Sequence, residues 1–100
     1  MKILYAVTYS VEPEFQLDFL NYLKTTHIPA ILATDLLIDC KVYRIMFELN
    51  GGVSFSCQYH FENREVYDVY HHKFNLKHKY TLLKQFKGKF VDFNALMEEA

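Results

Sequence analysis

The run Val53-Ser54-Phe55-Ser56-Cys57-Gln58-Tyr59-His60-Phe61, entered through Asn50-Gly51-Gly52, decides the fold. Every second residue is apolar or aromatic and the residues between are small or polar, which is the period of a strand with one buried face. Asn-Gly-Gly supplies the positive backbone angles of a hairpin loop, so a second strand precedes it. Leu36 to Leu49 is that candidate, long enough to imply an irregular first part or a bulge. A three-residue loop would set Leu49 opposite Val53, Phe47 opposite Phe55, Ile45 opposite Cys57 and Tyr43 opposite Tyr59, matching apolar to apolar.

Outward from the hairpin, Lys2 to Ser10 alternates in the same way. Glu12-Pro13-Glu14 reads as a helix start, with proline at the first helical position and acids at the positive end of the dipole. Phe15, Phe19, Tyr22, Leu23 and Thr26 recur at helical spacing, with Leu17 on the far side. Pro29 disfavours helical geometry at Ile28, which predicts a helix end near His27, and Thr34-Asp35 marks a turn. On the other side, Asn63 is an N-cap for a second helical region reaching about Phe86. Its two apolar sets, Val66, Val69, Tyr70 and Leu76, Tyr80, Leu83, do not share a phase, which predicts a break near Phe74-Asn75. Gly88 ends the region and Lys89 to Met97 reads as the last strand.

The order strand, helix, strand, hairpin, strand, helix, strand is the split βαββαβ arrangement. It predicts an α+β, ferredoxin-like sandwich: a four-stranded antiparallel sheet with both helices on one face. One hundred residues make one domain, 1–100. At 51% hydrophobic and 17% aromatic residues, a disordered chain is excluded. No apolar run approaches the ~18 residues of a membrane span, and the N-terminus moves straight into strand alternation without a signal-peptide pattern. Cys40 and Cys57 read as small core residues, and the hairpin register sets them about 16 Å apart along the strands, too far for a disulfide. A reducing, cytoplasmic setting follows as the expectation.

The parities then sort the sheet. Ile3, Tyr5, Val7, Tyr9, Tyr43, Ile45, Phe47, Phe55, Cys57, Tyr59, Val91 and Phe93 are expected under the helices. The opposite face would collect Leu4, Ala6, Thr8, Val42, Arg44, Met46, Ser54, Ser56, Gln58, His60, Phe90, Asp92, Asn94 and Leu96. That set is too apolar to leave in water, at ~1.5–3 kcal/mol per large side chain, and too polar for a dry core. Two copies packed face to face around a small wet cavity satisfy both limits, which predicts a two-fold homodimer in which Arg44 and Asp92 could meet across the interface.

Several short pieces in order, Tyr5-Ala6-Val7-Thr8, His27-Ile28-Pro29, Ala33-Thr34, Tyr43-Arg44, Gln58-Tyr59 and Gly88-Lys89-Phe90-Val91-Asp92-Phe93, resemble a family of short proteins of about 100 residues. It is a domain-of-unknown-function family grouped with the dimeric α/β-barrel proteins, and the resemblance runs over essentially the whole chain. It implies the ferredoxin-like fold and the dimer and carries no catalytic residues. The wider barrel group holds cofactor-independent monooxygenases, small isomerases, haem-degrading enzymes and proteins without a known reaction, and fold alone does not choose among them. The chain lacks Trp, which several of the monooxygenases use.

Function must come from side chains. Arg44, Gln58, Ser56 and His60 are the ligand-binding candidates, facing the expected cavity. Arg44 offers fixed donors to a carboxylate or phosphate, and the His60 imidazole could serve as an acid or base. His27, at the expected helix end where the dipole favours positive charge, is with His60 the catalytic candidate. No metal site is expected: His71 and His72 diverge on a helix, His78 lies two turns from His71, and no Cys or carboxylate completes a spacing. Nucleophile-elbow, phosphate-loop and dinucleotide fingerprints are absent, so no cofactor is expected. Net charge is −1, which argues against a nucleic-acid partner, although His71 to Lys89 carries six lysines and no acid. Phe74, Tyr80 and Phe86 within that segment are expected in the core. The reading is a non-catalytic homodimer that binds a small anionic or aromatic ligand or serves as an interaction module. The alternative is a cofactor-independent monooxygenase or isomerase-like enzyme acting on a small aromatic or polyketide-like substrate.

Overall fold

Four strands and two long helical stretches alternate along the chain in the computed structural model, which describes residues 1–47 and 53–100. The elements are β1 (Ile3–Val11), α1 (Gln16–Tyr22), α2 (Ile28–Leu32), β2 (Asp39–Arg44), β3 (Val53–Phe61), α3 (Arg64–Tyr70), α4 (Leu76–Gln85) and β4 (Phe90–Glu98). The strands form one sheet in the order β2-β3-β1-β4, with every neighbouring pair antiparallel. The expected ferredoxin-like architecture is therefore present. The expected Asn50-Gly51-Gly52 loop and the Leu49–Val53 pair fall on residues 48–52, outside the described residues.

The two central strands are where the alternation is cleanest. β1 and β3 each bury every second residue, from Ile3 to Val11 and from Val53 to Phe61. Their buried side chains meet Phe19, Leu23, Ile31, Tyr67, Tyr70, Leu82 and Phe86 from the helices in one core. Aromatic edges carry much of the contact: the Phe19 ring lies 5.2 Å from Tyr9 and 5.1 Å from Phe86. Asn63 caps α3 by accepting a hydrogen bond from the Val66 N–H at 3.0 Å. Gly88, at φ 77°, closes the α4–β4 turn in the left-handed region that glycine enters without steric cost.

Three expectations need correction. First, the helix does not end at His27. Leu23–His27 widens into a π turn, with the Ile28 N–H donating to the Leu23 carbonyl, and α2 continues to Leu32. A π turn shifts the bonding by one residue, so Pro29, which has no N–H to offer, sits inside a helical stretch without breaking it. The break expected near Phe74-Asn75 is a second π turn, His71–Asn75.

Second, β2 pairs in a different register. Cys40 faces Tyr59, Val42 faces Cys57 and Arg44 faces Phe55. The slip from the expected pairing is three residues, an odd number, so every β2 side chain changes face. Cys40 and Cys57 are thereby two residues out of register on one buried face rather than five, and both are free thiols.

Third, β4 is also turned over. Tyr9 faces Asp92, Val7 faces Asn94 and Tyr5 faces Leu96, so the even-numbered residues lie on the helix side. Tyr5 donates a hydrogen bond to Asn94 Oδ1 at 2.9 Å, and Phe90 packs 5.6 Å from the Tyr9 ring. Val91 and Phe93, expected in the core, are 59% and 66% exposed on the opposite face. Arg44 and Asp92 end up at opposite ends of a single row, Arg44–Phe55–Tyr9–Asp92, on the helix side, so they do not meet across the open face. Tyr80, expected in the core, is 62% exposed.

Candidate functional site

The register fixes the open sheet face row by row. Tyr43, Ser56, Thr8 and Phe93 make one row, Lys41, Gln58, Ala6 and Ala95 the next, and Asp39, His60, Leu4 and Met97 the third. The half on β2 and β3 is polar. The half on β1 and β4 is apolar, and at its edge Phe93, Val91 and Met97 are exposed. Three of the four expected ligand-binding residues, Ser56, Gln58 and His60, therefore share this face at alternate positions of β3. Arg44 does not join them. Its guanidinium lies over the Phe55 ring, 5.2 Å from the centroid, and donates to Gln16 Oε1 at 3.3 Å on the helix side. Lys41 takes the place beside Gln58 that sequence reading gave to Arg44. His60 is held by Asp39, with Nδ1 and Oδ1 2.5 Å apart in a half-exposed pair. At that end of the face a hollow of about 370 Å³ is lined by Lys2, Leu4, His60, Met97 and Glu98.

His27 occupies a different place. Phe19, Leu23, His27 and Ile31 follow each other at four-residue spacing and all are buried, so the imidazole belongs to the core stripe of the helix. Its Nε2 lies 3.3 Å from the Tyr59 hydroxyl on β3. The Nδ1 of His78, on α4, lies 2.8 Å from the Tyr70 hydroxyl, and the two imidazole rings are 6.3 Å apart. Burial, with the nearby His78 adding to it, holds His27 down to about 4, so the ring is neutral at pH 7. The same desolvation lowers His78 and raises both tyrosines. The positive helix-end histidine expected from the dipole is thus a neutral group inside a continuous helical stretch. Both imidazoles line a cleft of about 550 Å³ between the two helical stretches. Among the described residues no group of three or more His, Cys, Asp or Glu is arranged to hold a metal.

Sequence reading missed His78, Tyr59 and Tyr70 as a unit. The signal available was the four-residue spacing of Phe19, Leu23 and His27, which puts a histidine in an apolar stripe; its tyrosine partner comes from β3 and is visible only in the fold.

A family model for a domain of unknown function, DUF4286, matches residues 2–100. The chain belongs to that family. No curated protein matches the sequence. Among solved structures, a dimeric protein of unknown function with a ferredoxin-like fold from Bacteroides fragilis NCTC 9343 superposes with TM-score 0.69 at 14% identity, covering 98% of this chain and 96% of its own. A dimeric ferredoxin-like protein from an uncultured marine organism gives TM-score 0.68 at 18% identity, covering 97% and 93%. SnoaB, a cofactor-independent oxygenase from Streptomyces nogalater, gives TM-score 0.71 at 8% identity, covering 98% and 92%. At these identities the likeness is one of fold. For this DUF4286 chain the fold is settled, and no helix among its described residues is long and apolar enough to cross a membrane.

Proposed function

We propose that the protein is a homodimeric small-ligand-binding module, two copies packing through their open sheet faces. The observation that carries the reading is the exposed apolar half of that face, with Phe93 at 66%, Val91 at 59% and Met97 at 43% exposure on β4. Leaving three such side chains in water forgoes several kcal/mol, at ~1.5–3 kcal/mol each. A two-fold axis near β1 and β4 covers them with their own copies. The polar half then rims the interface, and Ser56, Gln58 and His60 would contact a small anionic or aromatic ligand there, with Lys41 supplying the positive charge. Two neighbours of the same fold are dimeric, which supports this arrangement. The two buried, unpaired cysteines suit a reducing compartment, and the proposal places the protein in the cytoplasm.

Sedimentation velocity at micromolar concentration tests it. A dimer that Phe93→Lys converts to a folded monomer is the expected result. A monomer in the unaltered protein, or a dimer indifferent to charge at Phe93, overturns it.

An enzymatic reading draws on the fold shared with SnoaB. Under it the substrate would be small and aromatic or polyketide-like, and His27 in its buried cleft, rather than His60 bonded to Asp39, is the group placed to exchange a proton beside it. Fold likeness at 8% identity does not assign chemistry, so the binding reading is the conclusion.

A further inference from the structure

The cleft between the helical stretches has a donor whose state follows from elimination. Tyr59 and Tyr70 are buried; the Tyr70 hydroxyl meets His78 Nδ1, and the Tyr59 hydroxyl is shared between His27 Nε2 and the Tyr9 phenol. If the Tyr70 hydroxyl accepted from its imidazole, its own proton would be left in the core without an acceptor among the described residues. The Tyr70 phenol therefore donates. In a neutral imidazole that receives a proton at one nitrogen, the other nitrogen carries the N–H. The free donor is thus His78 Nε2–H. Among the described residues neither His78 Nε2 nor His27 Nδ1 has a hydrogen-bond partner, and no fully buried side-chain nitrogen lacks one, so His27 Nδ1 opens to the cleft.

The rest of the lining is mixed. Tyr22, Ala30, Ala33 and Phe74 provide apolar wall, Thr26, Thr34 and Thr81 add hydroxyls, Lys77 stands among them as a cation, and among the described residues no carboxylate lines the space. A volume of about 550 Å³ suits a small organic molecule. We infer that this inter-helix cleft is a second binding site, one that takes a small aromatic carboxylate, with the carboxylate received by the His78 N–H and Lys77 beside the His27 ring and the aromatic ring against Phe74 and Tyr22. Core packing alone does not account for it. An apolar residue at position 27 would fill the stripe between Leu23 and Ile31 without needing a buried hydroxyl to satisfy it. The two tyrosines, one from β3 and one from α3, orient both rings before any ligand arrives, which lowers the ordering cost of binding. This site is separate from the open sheet face and does not depend on dimer formation.

Benzoate is the probe, titrated into the full chain while the ring Cε1–H signals of all five histidines are followed by NMR. The expected result is one saturable curve that moves His27 and His78 and leaves His60 and His72 in place. Acetate, which lacks the ring, and benzyl alcohol, which lacks the charge, should each bind at least about tenfold more weakly, as should benzoate to His78→Phe. Lys77→Ala, at a surface position that leaves the fold intact, should weaken benzoate by roughly threefold to tenfold. A linear, unsaturable drift at His27 and His78 overturns the inference. So does undiminished benzoate affinity in both folded variants, or inorganic phosphate and acetate binding as tightly as benzoate.

Discussion

His27 Nε2 and the Tyr59 hydroxyl, 3.3 Å apart, tie the π turn of the first helical stretch to the central strand β3 through the middle of the core. Burial keeps the ring in this bond neutral, holding His27 at about 4 against the ordinary 6.5. The unfolded chain therefore takes up this proton first as pH falls, so the contribution is complete above about pH 6.5 and is lost as pH drops toward 4. His78, also lowered by burial, faces the same space and adds in the same direction, and Lys77 beside it further opposes protonation of the His78 ring. Urea unfolding should show stability falling by up to about 3 kcal/mol between these limits, and His27→Phe should flatten much of that slope.

Arg44 stands opposite Phe55 in the β2–β3 ladder with its guanidinium over the ring and Gln16 as its acceptor. It is exposed, so the contact is a surface one. Arg44→Ala should cost only about 0.5–1 kcal/mol in thermal or urea unfolding. It should leave the sedimentation coefficient and any ligand affinity at the open sheet face unchanged. A variant that lost dimerisation or binding there would put Arg44 back on the face from which the register removes it.

Cys40 and Cys57 lie on adjacent strands under the helices, two residues out of register. Burial pushes Cys40 up to about 12 and Cys57 higher still, with Asp39 adding to the first and the neighbouring thiol to the second. A thiol so far from ionisation is a poor nucleophile. Both should resist a disulfide reagent at pH 8 in the native protein and react together, at the rate of unfolding, when denaturant is added. Prompt reaction of either thiol under native conditions would show that β2 opens locally from the edge of the sheet.

The sequence was most legible where a strand has neighbours on both sides. β1 and β3 alternate without exception because one face of each is sealed by helices, and β3 has the bounds its pattern predicts. The edge strands did not read as cleanly. In β4 Phe90, Leu96, Val91, Phe93 and Met97 put apolar residues on both parities, so period alone cannot choose the buried face. What chooses it is register against β1, with Tyr5 bonded to Asn94 and Glu12 to the Lys89 carbonyl. In the segment read as the second strand, the matching of Tyr43, Ile45 and Phe47 to Tyr59, Cys57 and Phe55 points to the wrong face for the same reason. His27 was drawn out of the core by Pro29, because a π turn that absorbs a proline leaves little trace in local composition. The candidate ligand face survived the register change on β3, and the helix-side cleft did not emerge because its tyrosines and histidines come from four separate elements.

Gly88 offers a test of backbone geometry free of packing. Its φ of 77° lies where a Cβ strains the backbone, yet an added Cβ would meet nothing within 4 Å. Gly88→Ala should therefore cost about 1–2 kcal/mol through conformation alone, since no neighbour has to move. Gly88→Asn should cost less, because asparagine enters the left-handed region more readily than alanine does. The turn carries the Lys89 carbonyl, which accepts from the Glu12 N–H at 3.0 Å and so aligns the start of β4 with the end of β1. If both variants were equally destabilised, the cost would come from lost pairing at that bond, and amide exchange at Glu12 would rise in both. If alanine alone suffers and Glu12 stays protected, the strain is local to the glycine and the register of β4 is held by the ladder itself.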